Sequence, residues 1–286
     1  MGAFIGSMIT IIIASFIAYF AKKRIEDTFF IAFAFISFTL YIFGIMGTLS
    51  TGVIATVIIS LICLLIFAVH LTFNKNKFRA KKDNVVRYVL TPGFVVFIFL
   101  TVFFVILNYG REYYLNDEFS HWGLSIKNMF ALDELYCVQD SSDTFKDYPP
   151  FATLICYFWS AVTGGFNESY TFTGMGLLMF SCLLPVFKVF GFKDKKTLGM
   201  VPLFVSLCFV ITASLKLSAF TILAVDTLMA LIPVYIFLIY FIKGRDTAKN
   251  CDMCITDIIF IAIALAALTM TKGIGIGFSI YVVLLL

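Results

Sequence analysis

Charge is scarce in this sequence. Asp, Glu, Lys and Arg make up 13% of its 286 residues, about half of the ~25% usual in soluble domains. With 61% hydrophobic residues and a mean hydropathy of +1.01, that deficit excludes a water-soluble chain. Histidine is nearly absent, with His70 and His121 alone, which restricts imidazole chemistry severely. No glycine-rich phosphate loop, HExxH pair or paired CxxC occurs, so a nucleotide-using site on the cytoplasmic side is unsupported. Cysteine offers no framework either: Cys63, Cys156, Cys182 and Cys208 sit within apolar runs, Cys137 has no local partner, and Cys251 with Cys254 forms a single CxxC, half a zinc site.

What the chain has is apolar length, and the bilayer sets the unit at about 20 residues per span. Residues 3–20, 28–46 and 52–73 are runs of that kind, and the first lacks the basic lead of a signal peptide. Basic residues cluster at 22–24, 75–87, 193–196 and 243–249. Such clusters beside apolar runs mark the cytoplasmic face, with anionic headgroups as a lesser partner and no nucleic acid. On that rule the first three runs cross in turn, and residues 94–109 cross outward to a 40-residue segment, 111–150.

That segment is acidic: Glu112, Asp117, Glu118, Asp133, Glu134, Asp140, Asp143 and Asp147 fall in it, against Arg111, Lys127 and Lys146. A connection this long is functional or disordered, and its periodicity favours order. Phe119, Trp122, Ile126, Met129 and Phe130 recur at helical spacing, while Asp117, His121, Ser125 and Asn128 form a second row. The pattern predicts an interfacial amphipathic helix, begun by Asn116, with its polar row toward a wet cavity.

Residues 151–165 are too few to cross about 30 Å of hydrocarbon comfortably. If they dip in and return, the later basic groups all fall inside. Residues 201–215 then cross outward, 218–242 inward and 258–271 outward. The last run, from Ile274, is still apolar at Leu286, and the chain is expected to be a truncated part of a longer one.

Charge within apolar runs is expensive, so Asp226 is a functional candidate, or else a helix-end residue reaching the interface. Lys272 either binds an anion or snorkels. Asp117 with His121 suits a general base at a cavity, and Glu118 lies nearer Trp122; both acids also suit the dipole of a helix N-terminus.

Asp117-Glu118, Tyr148-Pro149-Pro150, the turn at residues 165–168 (Gly-Phe-Asn-Glu), Asp226 and Thr271-Lys272-Gly273 occur in this order. In that respect the chain, from about Phe94 onward, resembles the polytopic GT-C glycosyltransferases, in particular the group of protein O-mannosyltransferases and aminoarabinose transferases. The resemblance implies an all-α, multi-pass GT-C-like helical bundle with a transmembrane catalytic module at 94–286; the three-helix membrane segment at 1–93 departs from the family, which usually begins with the helix before the acidic loop, and that prefix with the composition points to a bacterial plasma membrane. The resemblance also implies a polyprenyl-phosphate sugar donor and transfer to an acceptor on the outer face. Asp117, Glu118 and Asp226 would be catalytic, with Asp117 as base; Arg111, His121, Tyr148 and Lys272 would bind substrate, Lys272 and Arg111 at the lipid phosphate. A divalent cation is left open. Tyr148 stands where the family has Lys or His. A transporter or flippase component and a non-catalytic scaffold of cell-envelope assembly are the alternatives.

Overall fold

A computed structural model describes residues 2–72, 78–138, 141–143, 145–190, 222–223, 225–242 and 253–286. Among the described residues all regular structure is helical. Helices α1 (Gly2–Ala21), α2 (Ile25–Ile45) and α3 (Leu49–Thr72) are long and apolar enough to cross a membrane, and a fourth candidate span is the pair α4 (Phe78–Tyr88) and α5 (Pro92–Leu107), bent by 54°. The bend falls where Pro92 opens α5, because proline suits a first helical turn and breaks an interior one. The remaining helices are α6 (Gly123–Leu132), α7 (Phe151–Ala161), α8 (Glu168–Ser181), α9 (Val225–Phe241), α10 (Ile255–Thr269) and α11 (Gly275–Leu285). Expectations for residues 193–196, 201–215 and 243–249, and for Cys251, fall outside the described residues.

Helix α2 is the axis of the bundle. Phe29, Phe30, Phe33, Ile36 and Leu40 are fully buried, since an apolar helix surrounded by others needs no polar face. By contrast α3 leaves Ile54, Ile58, Leu61 and Leu65 exposed, a surface suited to lipid. Close approach is bought by small residues: Trp159 of α7 stacks on Phe33 at 5.1 Å, with Gly6 on one side and Gly174 on the other. A Cβ at these glycines would stand 2.7 Å and 3.0 Å from Trp159 atoms. One hydrophobic core joins α1 and α2 to α5–α11.

The first turn of α2 carries Glu26 and Asp27, both buried at the helix end beside Lys22–Arg24. Glu26 takes Arg24 at 2.9 Å and the Gly93 N–H at 3.1 Å. Asp27 pairs with Lys188 at 2.8 Å, and the Tyr235 hydroxyl donates to the Asp27 carbonyl at 2.6 Å. Arg24 also donates to the carbonyls of Lys188 and Phe190, and Lys23 pairs with Asp257 at the start of α10. At this end α2, α5, α9, α10 and the 3-10 helix Leu184–Val189 are thereby fastened together.

The opposite end holds the acidic loop. Helix α7, 11 residues and so about 16 Å long, starts beside α2, where Ser37 donates to the Phe151 carbonyl. It finishes near the first residue of α1, where Thr163 abuts Gly2. Helix α8 and the 3-10 turn then run to Lys188 at the other end. Residues 151–165 therefore dip and return, and the next stretch is the one that traverses the bundle.

Removing one member of a buried ion pair strands the other at a cost of about 3–5 kcal/mol. Lys188→Ala is accordingly expected to lower the melting temperature of the detergent-solubilised protein sharply, and Asp27→Ala added to it should cost much less than the sum. An unchanged melting temperature in Lys188→Ala would contradict the fastening role.

Candidate functional site

The acidic loop forms two separate polar groups. In the first, Glu118 is buried, accepts the N–H groups of Tyr114 and Leu115 at 3.0 and 3.1 Å, and faces Arg111 at 3.6 Å. Arg111 lies over the Phe172 ring at 4.0 Å, and burial pulls its pKa down, with Glu118 opposing that shift. Glu168, in the Gly-Phe-Asn-Glu turn, accepts the Tyr113 N–H at 2.6 Å and pairs with Lys127 at 3.1 Å. These contacts fasten the loop to the start of α8. Arg111 and Glu118 serve that task, and neither lines the cavity that holds Lys272.

The second group gathers Tyr148, Asp226 and Lys272, with His121 behind Tyr148, while Asp117 is not among the residues that line its cavity. Asp226 sits in the first turn of α9, at the helix end and not mid-span, and pairs with Lys272 at 2.8 Å. Lys272 follows the end of α10 and lies 5.7 Å from the centre of the Tyr148 ring. Tyr148, Asp226 and Lys272, with Met229, Ala230, Gly273, Ile274 and Phe278, line a cavity of about 580 Å³. Its wall is apolar on α9 and α11, and its charge is confined to the Asp226–Lys272 rim. Tyr148 backs onto His121 at 5.0 Å and Trp122 at 5.7 Å between ring centres, and its carbonyl accepts the Tyr136 hydroxyl.

The polar row differs from the sequence expectation. Helical backbone begins at Asn116, which is therefore the first helical residue and not the cap before it, and Glu118–Trp122 form one π-helical turn before α6. Asp117 is exposed, but His121, Ser125 and Asn128 are buried. The returning chain covers them: Asp143 bonds Ser125, Ser142 donates to Asn128 at 3.0 Å, and Phe145 lies 4.2 Å from the His121 ring. Periodicity identified the row but not what lies over it. Asp143 carried no signal beyond its place in a Ser-Ser-Asp turn whose N–H is taken by Ser141.

Burial pushes the His121 pKa down; Asp143 and Asp117 pull it back up, and Lys272 adds to the depression. Asp117 and Lys272 therefore act on this imidazole with opposite sign. Among the described residues the donors at the cavity do not make a divalent-cation site. Asp226 is the one carboxylate lining the cavity, it is held by an ammonium, and among the described residues no three His, Cys, Asp or Glu side chains converge.

Among the described residues the protein is all-helical, and three long apolar helices there, four with the bent pair, are compatible with integral membrane residence. Comparison with known protein families, curated proteins and solved structures found no match.

Because the folded pKa of His121 lies below its unfolded value, the unfolded state takes up the proton first as pH falls. Stability is full above about pH 6.5 and is lost on acidification. Melting temperature should thus fall between about pH 7.5 and 5.5, and His121→Phe, which keeps a ring in the stack, should flatten that dependence. An equal slope in the variant would remove His121 as its source.

Proposed function

We propose that this protein transfers a sugar from a polyprenyl-phosphate donor to an acceptor hydroxyl at the membrane surface. The observation that carries the reading is the cavity where Tyr148, Asp226 and Lys272, distant in sequence, meet an apolar wall on α9 and α11. A lipid-linked anion needs both features: an apolar surface for an isoprenoid chain and a cation where the chain ends. Lys272 supplies the cation, and its partner Asp226 orients it. The pair stands at a rim, with Asp226 largely exposed, as a site open to a headgroup requires; it is not a charge pair sunk along a transport path.

In the reaction the acceptor oxygen bonds to the anomeric carbon as the bond from that carbon to the phosphate oxygen breaks. The phosphate leaves with the electron pair, and Lys272 stabilises the charge that develops there. Asp117, exposed at the head of the loop helix, accepts the acceptor's proton. A single base suffices for direct displacement. No step requires a metal.

An exposed ion pair contributes about 0–1 kcal/mol to stability, so Asp226→Asn and Lys272→Met should leave melting nearly unchanged. The test is release of label from radiolabelled polyprenyl-phosphate sugars by the purified protein. Asp117→Asn is expected to abolish release, a loss of at least about 100-fold for a general base. Lys272→Met should weaken donor use with folding intact. Full activity in Asp117→Asn would remove the base assignment, and no release from any donor by folded protein would overturn the reading.

A further inference from the structure

Tyr148 is the cavity's one ring beside the charged rim that is braced from behind. Phe278 also lines the cavity, but from α11 on the apolar wall. Behind Tyr148 lie His121 and Trp122, and Phe145 flanks it at 5.8 Å between centres. Its backbone is fixed at both polar groups, the N–H donating to the Phe145 carbonyl at 3.2 Å and the carbonyl accepting from Tyr136 at 2.5 Å. The Tyr148 hydroxyl makes no hydrogen bond among the described residues. The side chain is thus held by packing and backbone; its ring lines the cavity with the Lys272 ammonium over it at 5.7 Å, and its hydroxyl is uncommitted among the described residues.

Resting on the transferase reading, we propose that Tyr148 is the platform on which the donor's sugar ring stacks, and that it thereby selects donors with an apolar C–H face beside the anomeric carbon. An aromatic face carries partial negative charge and attracts partially positive C–H edges as it does a cation. Lys272 sits 5.7 Å from the ring centre, so a phosphate at Lys272 puts the sugar attached to it within reach of that ring. The isoprenoid chain then follows Met229, Ala230, Ile274 and Phe278 away from the rim. Such a platform acts through the face of the ring and needs no hydroxyl. Tyr148 is in this sense a specificity-determining residue, not a proton carrier.

The experiment compares full-length wild type, Tyr148→Phe and Tyr148→Leu in detergent, using as probes a short-chain polyprenyl phosphate and the same lipid carrying hexose. Binding is followed by quenching of tryptophan fluorescence, to which Trp122 behind Tyr148 reports. Tyr148→Phe should bind both probes as wild type does. Tyr148→Leu should lose about 3- to 10-fold in affinity for the hexose-bearing lipid and keep its affinity for the bare phosphate, a contrast set by the strength of one aromatic contact. Equal binding of the hexose lipid by Tyr148→Leu and wild type would overturn the platform, as would a loss in Tyr148→Phe as large as in Tyr148→Leu. Equal weakening for both probes would assign Tyr148 to the phosphate and also overturn it. These outcomes concern the platform alone: a wild-type protein that binds neither probe would overturn the lipid-phosphate reading itself.

Discussion

The bundle depends on charge buried at the first turn of α2. Ionised side chains taken out of water are unfavourable unless each finds a partner, so this turn imposes a geometry on everything near it. Glu26 must meet Arg24 and the N–H of Gly93; Asp27 must meet Lys188. Gly93 cannot carry a side chain there, since a Cβ would lie 2.1 Å from the Glu26 side chain. With α5 and the 3-10 turn Leu184–Val189 held in this way, and α9 and α10 attached through Tyr235 and Asp257, the far ends of these helices have little freedom. The cavity is built at those far ends.

Two different kinds of acid therefore occur in this protein. Glu26, Asp27, Glu118 and Glu168 hold segments together and spend their oxygens on backbone N–H groups or cations. Asp117 and Asp226 are exposed; among the described residues the first has no hydrogen-bond partner and the second has Lys272. A carboxylate that chemistry is to use must have oxygen left over, and these two do. His121 has a similar property in a buried setting: its Nε2 has no hydrogen-bond partner, while its ring braces Tyr148.

Much of this was legible from sequence, for a simple reason. Apolar run length fixes spans directly, so α1, α2, α3 and α5 fall close to the expected runs. The shortness of residues 151–165 pointed to a dip, and the short α7 between Ser37 and Gly2 has that form. Tyr148, Asp226 and Lys272 were candidates because charge and Pro-Pro turns are conspicuous in an apolar chain, and the structure brings them together. Contacts between distant segments were illegible. Glu26 and Asp27 look like ordinary loop acids until Lys188, more than 160 residues away, is seen beside Asp27. The cover that Asp143 and Phe145 lay over Ser125 and His121 leaves no periodic trace. The helix α4 was hidden in a segment read only as basic, because its charge obscured the placement of Val85 against the core.

The central claim is that a lipid-linked phosphate sits between α9 and α11 with its head at Lys272. The most direct measurement is photo-cross-linking with a polyprenyl phosphate bearing a photoreactive group in its first isoprene unit, followed by peptide mapping. The account predicts labelling on Met229, Ala230, Ile274 or Phe278, competed by unlabelled polyprenyl-phosphate sugar and reduced in Lys272→Met. Labelling confined to the exposed face of α3, unaffected by competitor, would contradict it.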